Sequence, residues 1–163
     1  MPPQQRYLLQ DLLSVRTVRQ ESARRETHRC QHAVKQAEEA VAQAEVNLNE
    51  FIQFRIRREQ ELFNEVALQL INTPKLETMR FRVQQLRDQE IDRRAAVIDA
   101  KKVLQERTEA LEEAEEQYRE ACRQNDKLIE HKSWWDAQQR REAEALEEKE
   151  NEDFRSTSPL VTP

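Results

Sequence analysis

The chain has no glycine, and its five prolines fall at Pro2, Pro3, Pro74, Pro159 and Pro163. Glycine and proline are the strongest local breakers of regular structure. Nothing therefore interrupts a helix between Pro3 and Pro74, or between Pro74 and Pro159. Asn72-Thr73-Pro74 is the one internal break. Asn72 suits a left-handed helix end, Thr73 a cap for the next helix, and Pro74 its first turn. The spacing predicts a first helix over 4–71, a turn at 72–74, a second helix over 75–153 and a disordered tail over 154–163. Helices of about 70 and 80 residues are each on the order of 100 Å long.

Composition agrees with this layout. Ala, Glu, Lys, Leu and Arg supply about half the chain, the balance of long helices and coiled coils. Charged residues make up 36% and hydrophobic residues 37%. So little apolar surface supports a fold only if it is lined up in a narrow stripe. A layered enzyme domain with a pocket is disfavoured, and Walker or Rossmann phosphate cradles need glycines the chain lacks. We expect no enzyme activity and no cofactor. No window reaches the length of a membrane span, and the N-terminus fits a secretory signal poorly because Asp11 interrupts its apolar stretch. A net charge of −5 argues against nucleic acid as a partner. A cytosolic protein is the simplest expectation.

The apolar stripe is present. Leu76, Val83, Glu90, Val97, Leu104, Leu111 and Tyr118 recur every seven residues. Met79, Leu86, Arg93, Ala100, Arg107, Ala114, Ala121, Leu128 and Trp135 follow three places later in each heptad. These are the a and d seams of a coiled coil. The first half carries Val34, Val41, Leu48, Arg55 and Leu62 as its a row, and Cys30, Ala37, Ala44, Phe51 and Arg58 as its d row. Upstream of Thr27 the pattern slips, with Leu8, Val15 and Val18 off the seam. A short loop makes the helices antiparallel, so the expected fold is all-α, an antiparallel coiled-coil hairpin. Pivoting on Pro74 places Arg58 opposite Glu90, Arg55 opposite Arg93 and Trp135 opposite Leu13.

Candidate sites are few. His28 and His32 are spaced for one helical face, but zinc needs further converging ligands, so solvated histidines are expected. Cys30 and Cys122 are expected as free thiols. The carboxylate runs (Glu112, Glu113, Glu115 and Glu116; 142–153) lack the turn that wraps a calcium ion and read as solvated faces. Arg16, Arg19, Arg24, Arg25 and Arg29 are mixed with Glu21 and Glu26, leaving a charged face or an acidic partner open. Trp134 and Trp135 are adjacent, so only one can enter the seam fully. Together with Leu8 and Val15 they mark either an interface or a splayed end that buries them. Phe54, Ile56 and Phe81 point off the seam, and a thin hairpin offers them nothing to pack on. We read them as a second partner surface.

The run Phe54-Arg55-Ile56, with Glu59-Gln60, Leu62-Phe63, and Gln85-Leu86-Arg87 and Glu90 across the turn, resembles the type III secretion stalk proteins of the YscO family, related to flagellar FliJ. Relative to that pattern, Phe54 stands where a Trp is frequent, and Arg57 and Arg58 replace acidic residues. The resemblance implies a central stalk for a bacterial secretion ATPase, comparable in shape to the gamma subunit of rotary ATPases. It would be monomeric alone and located in the cytoplasm at the base of the apparatus. The helix ends would enter the hexameric ATPase ring through Leu8, Leu9, Leu12, Val15, Trp134 and Trp135. The body would contact the cytoplasmic domain of the export gate through Leu48, Phe51, Phe54, Arg55, Phe81 and Leu86. Seam packing explains Leu48, Phe51, Arg55 and Leu86 equally well. Secretion chaperones are further partners the resemblance admits. From the residues alone, a prefoldin-like holdase hairpin or an architectural coiled coil remains an alternative.

Overall fold

The computed structural model describes residues 6–69 and 72–156. It contains two helices, α1 (Gln10–Ala67) and α2 (Thr73–Ser156), which form an antiparallel hairpin. The described residues fall into a turn-bearing unit, Glu26–Glu115, and a unit holding both termini, Met1–Arg25 with Glu116–Pro163.

The helix boundaries differ from those expected, for local reasons. Residues 6–9 are not helical. Tyr7 leaves the helical path, its ring is buried, and its carbonyl accepts from the Gln10 amide at 3.1 Å. Residues 4 and 5 lie outside the described residues. At the turn, the Asn72 side-chain oxygen accepts from the Lys75 amide at 3.1 Å. Asn72 is therefore the N-cap of α2 and does not take a left-handed conformation; no described residue has positive φ. Thr73 opens the helix and Pro74 follows it in the first turn, where a missing N–H costs nothing. The far end of α2 continues through Ser156, and the rest of the expected tail lies outside the described residues.

In the turn-bearing unit the buried side chains Thr27, Ala37, Phe51, Leu62, Met79, Val97 and Ala114 all occupy a or d positions. The heptads read from sequence are thus the packed seam. The small residues let the backbones approach: the Thr27 hydroxyl donates across the seam to the Ala114 carbonyl at 3.2 Å.

In the other unit the frame does not slip. Leu13, Arg16, Gln20 and Ala23 continue the a and d rows and are half-buried. The apolar signal fades there because polar residues take seam positions and satisfy one another. Asn125 is buried; its amide donates to Gln20 Oε1 at 2.5 Å, and its oxygen accepts from the Thr17 hydroxyl at 3.4 Å. Arg16 reaches the Gln124 carbonyl at 2.9 Å.

Candidate interaction surfaces

Two places gather the residues singled out by sequence. In the unit holding the termini, the Tyr7 hydroxyl lies 2.6 Å from His131 Nδ1. The Tyr7 ring packs on Trp135 with centroids 5.5 Å apart, and His131 packs on Trp134 at 5.9 Å. Trp135 is half-buried by this contact, and the ring it stacks on is Tyr7, where a strict pivot on Pro74 had placed Leu13. Trp134 stays 59% exposed, and Leu8 is 92% exposed. Leu9, Leu12 and Val15 are exposed as well. The structure therefore joins the two tryptophans through Tyr7 and His131, two residues the sequence reading missed. The only sequence signal for Tyr7 was an aromatic next to Leu8-Leu9.

In the turn-bearing unit, Phe51 is buried on the seam and Phe54 is exposed beside it, ring centroids 5.8 Å apart. The Arg93 guanidinium carbon sits 3.9 Å from the centre of the Phe51 ring, a cation–π contact. This explains how the seam tolerates Arg93: its charge lies on the aromatic face and not against Arg55. Arg55 instead forms an ion pair with Glu90 across the hairpin and another with Glu59 at 3.1 Å. Glu90 also accepts from Arg94 at 2.7 Å, and Glu59 pairs with Arg87 at 3.3 Å. Arg58, expected opposite Glu90, pairs with Glu61 and Glu65 on its own helix at 2.8 and 3.5 Å. Glu90 thus takes its partner one helical turn earlier in α1 than a pivot on Pro74 implies.

The network sets the ionisation of its members. The hydrogen bond from Arg94, and then the charge of Arg55, hold the Glu90 carboxyl below its ordinary range against the cost of burial. The hydrogen bond to Glu59 raises the Arg55 guanidinium further. Of the residues expected from the resemblance to contact the export gate, Phe54 and Phe81 are exposed, Leu48 and Leu86 are half-buried, and Phe51 and Arg55 are committed to the hairpin itself. Phe81 takes an outward heptad position on α2, so the structure does not bring it to the Phe51–Phe54 pair.

The remaining candidates are spread along the surface. His28 and His32 are exposed, and among the described residues no group of three His, Cys, Asp or Glu side chains could hold a metal ion. Cys30 and Cys122 are free. Burial, reinforced by Glu26, pushes the Cys30 thiol up, away from a reactive thiolate. At the end of the glutamate run, Arg123 and Arg119 hold the Glu116 carboxyl low, and Arg123 does the same to Glu120 one turn on. Arg24 and Arg25 pair with Glu21, and Arg29 pairs with Glu26. No described helix is long and apolar enough to cross a membrane.

Among solved structures the fold is similar to the type III secretion protein YscO from Vibrio parahaemolyticus, with a TM-score of 0.81, 22% identity and coverage of 90% of this chain and 92% of that one. It is also similar to a putative YscO homologue from Chlamydia trachomatis, with a TM-score of 0.73, 18% identity and 93% of each chain covered. No match is found among curated protein sequences. The sequence profile described as type III secretion protein YscO matches residues 9–157, starting one residue before α1 and ending one residue after α2. With the whole hairpin inside that match, the chain belongs to the YscO family of type III secretion proteins.

Proposed function

We propose that this protein is the central stalk subunit of a type III secretion ATPase, working in the cytoplasm at the base of the apparatus. Its paired helix ends enter the hexameric ring, and the hairpin body reaches the cytoplasmic domain of the export gate. Secretion chaperones are additional ligands in this reading. The role is mechanical, with no chemistry of its own: helices tied by side-chain contacts couple hydrolysis in the ring to the gate.

The observation that carries the reading is the exposed apolar group where the start of α1 lies beside α2, at Trp134 and well before α2 ends at Ser156. Leu8, Leu12, Val15 and Trp134 face solvent in the unit where Tyr7, His131 and Trp135 hold the chain together. Exposed aromatic and aliphatic side chains on a supported frame are the usual anchors of a protein interface. The hydrolysis rate and hexamer fraction of the cognate secretion ATPase, with and without this protein, test it. Stimulation by the native chain, lost on Trp134→Asp or Leu12→Asp with helicity intact, supports a ring contact at the helix ends. No binding and no change in rate, with an active ATPase, overturns the stalk reading.

A further inference from the structure

One flank of the turn-bearing unit has a pattern that the ring contact does not use and that shares only Ile56 with the outward residues read from sequence as a partner surface. In the heptad frame, the first four e positions of α2 are Arg80, Arg87, Arg94 and Lys101, all basic, before Thr108 ends the run. The e positions of α1 alternate Glu45, Ile52, Glu59 and Val66. The pairs Glu59–Arg87 and Glu45–Lys101, each at 3.3 Å, place both e rows on the same side of the seam. The b positions border that side. They carry Ile56 on α1 and Ile91 and Ile98 on α2, all exposed, with Ile91 at 62%.

We propose that this flank docks an acidic amphipathic helix, which lies along the furrow between Ile56 on one helix and Ile91 and Ile98 on the other. The isoleucines supply the apolar anchors at helical spacing. The charge decides the occupant. Four basic residues line the furrow against three carboxylates, Glu45, Glu59 and Glu90, and Arg87 and Arg94 keep 59% and 57% of their side-chain surface exposed despite their ion pairs. Carboxylates flanking an apolar stripe would meet these guanidiniums directly. A second copy of this chain fits poorly, because a two-fold contact sets the basic row against itself. The inference is independent of the stalk reading and concerns a different face.

The test measures binding of the full-length protein to two labelled synthetic helical peptides by fluorescence anisotropy. Both share a leucine stripe, flanked by Glu in one and by Lys in the other. The Glu-flanked peptide is expected to bind at least about tenfold more tightly. The double substitution Ile91→Ala/Ile98→Ala is expected to weaken it by about tenfold, while Ile129→Ala, at an exposed isoleucine of the other unit, leaves it unchanged. These sites are exposed, so far-UV circular dichroism should stay native. Equal binding of both peptides overturns the proposal. So does binding indifferent to Ile91 and Ile98, or a concentration-dependent dimer in sedimentation that the double substitution abolishes.

Discussion

The Tyr7 hydroxyl meets His131 Nδ1 at 2.6 Å, joining residues 124 places apart in sequence. This bond and the stacking of Tyr7 on Trp135 hold the segment before α1 against α2. Tyr7→Phe keeps the ring and removes the bond, and should cost about 1 kcal/mol. Tyr7→Ala removes a buried ring and should cost about 3 kcal/mol. Urea unfolding followed by tryptophan fluorescence measures both, and equal losses would show that the hydrogen bond dominates.

Asn125 is a buried amide satisfied by Gln20 and Thr17. Asn125→Ala should destabilise by about 2 kcal/mol, because Gln20 is left without its partner in the seam. Replacing Asn125 and Gln20 together by leucine should recover that loss. Thermal unfolding of Asn125→Leu, Gln20→Leu and the double variant checks this as a mutant cycle; simple additivity would refute the coupling.

Glu90 has a lowered folded-state pKa, so its contribution is complete above the pKa of the unfolded chain and fades as pH falls through the folded value. Stability should therefore drop at acid pH, below the ordinary carboxylate range. Glu90→Gln should cost about 1–2 kcal/mol at neutral pH, since Arg55 is largely buried while Arg94 is not. It should also flatten the acid limb. Denaturation midpoints taken across pH for both proteins decide it; parallel curves would exclude Glu90 as the titrating group.

Phe51 and Phe54 are neighbours with opposite burial. Phe51→Ala should cost about 3 kcal/mol and strand Arg93 without its ring. Phe54→Ala should change stability by less than about 1 kcal/mol. If Phe54 serves a partner, its loss should appear in secretion assays while the melting temperature holds. Comparable melting losses for the two would show that Phe54 is structural.

The hairpin and its seam were legible in the sequence because two signals agreed: the lone internal break at 72–74, and apolar residues recurring every seven places. What escaped was carried by polar chemistry. Gln20, Arg16 and Asn125 hold seam positions that a hydrophobic period cannot detect, so the frame looked lost upstream of Thr27. Glu90 took Arg55 in place of Arg58 because Arg58 was already satisfied by Glu61 and Glu65, a choice set by side-chain reach. The cap passed from Thr73 to Asn72, since both residues can cap and only the geometry of the Lys75 amide distinguishes them. Of the surface residues, spacing placed Phe54, Ile56, Phe81 and Trp134 outside the seam, where the structure leaves them exposed. Tyr7 and His131 lie far apart in sequence and belong to no motif.

The Asn125 layer has a mechanical side. A smooth apolar seam can slide by a heptad and still pair one aliphatic residue with another. At Asn125 such a slip would bring Leu13 to the place of Gln20 and strand a buried amide. The layer thus acts as a shear pin: axial load entering one helix of this unit is handed to the other with their alignment preserved.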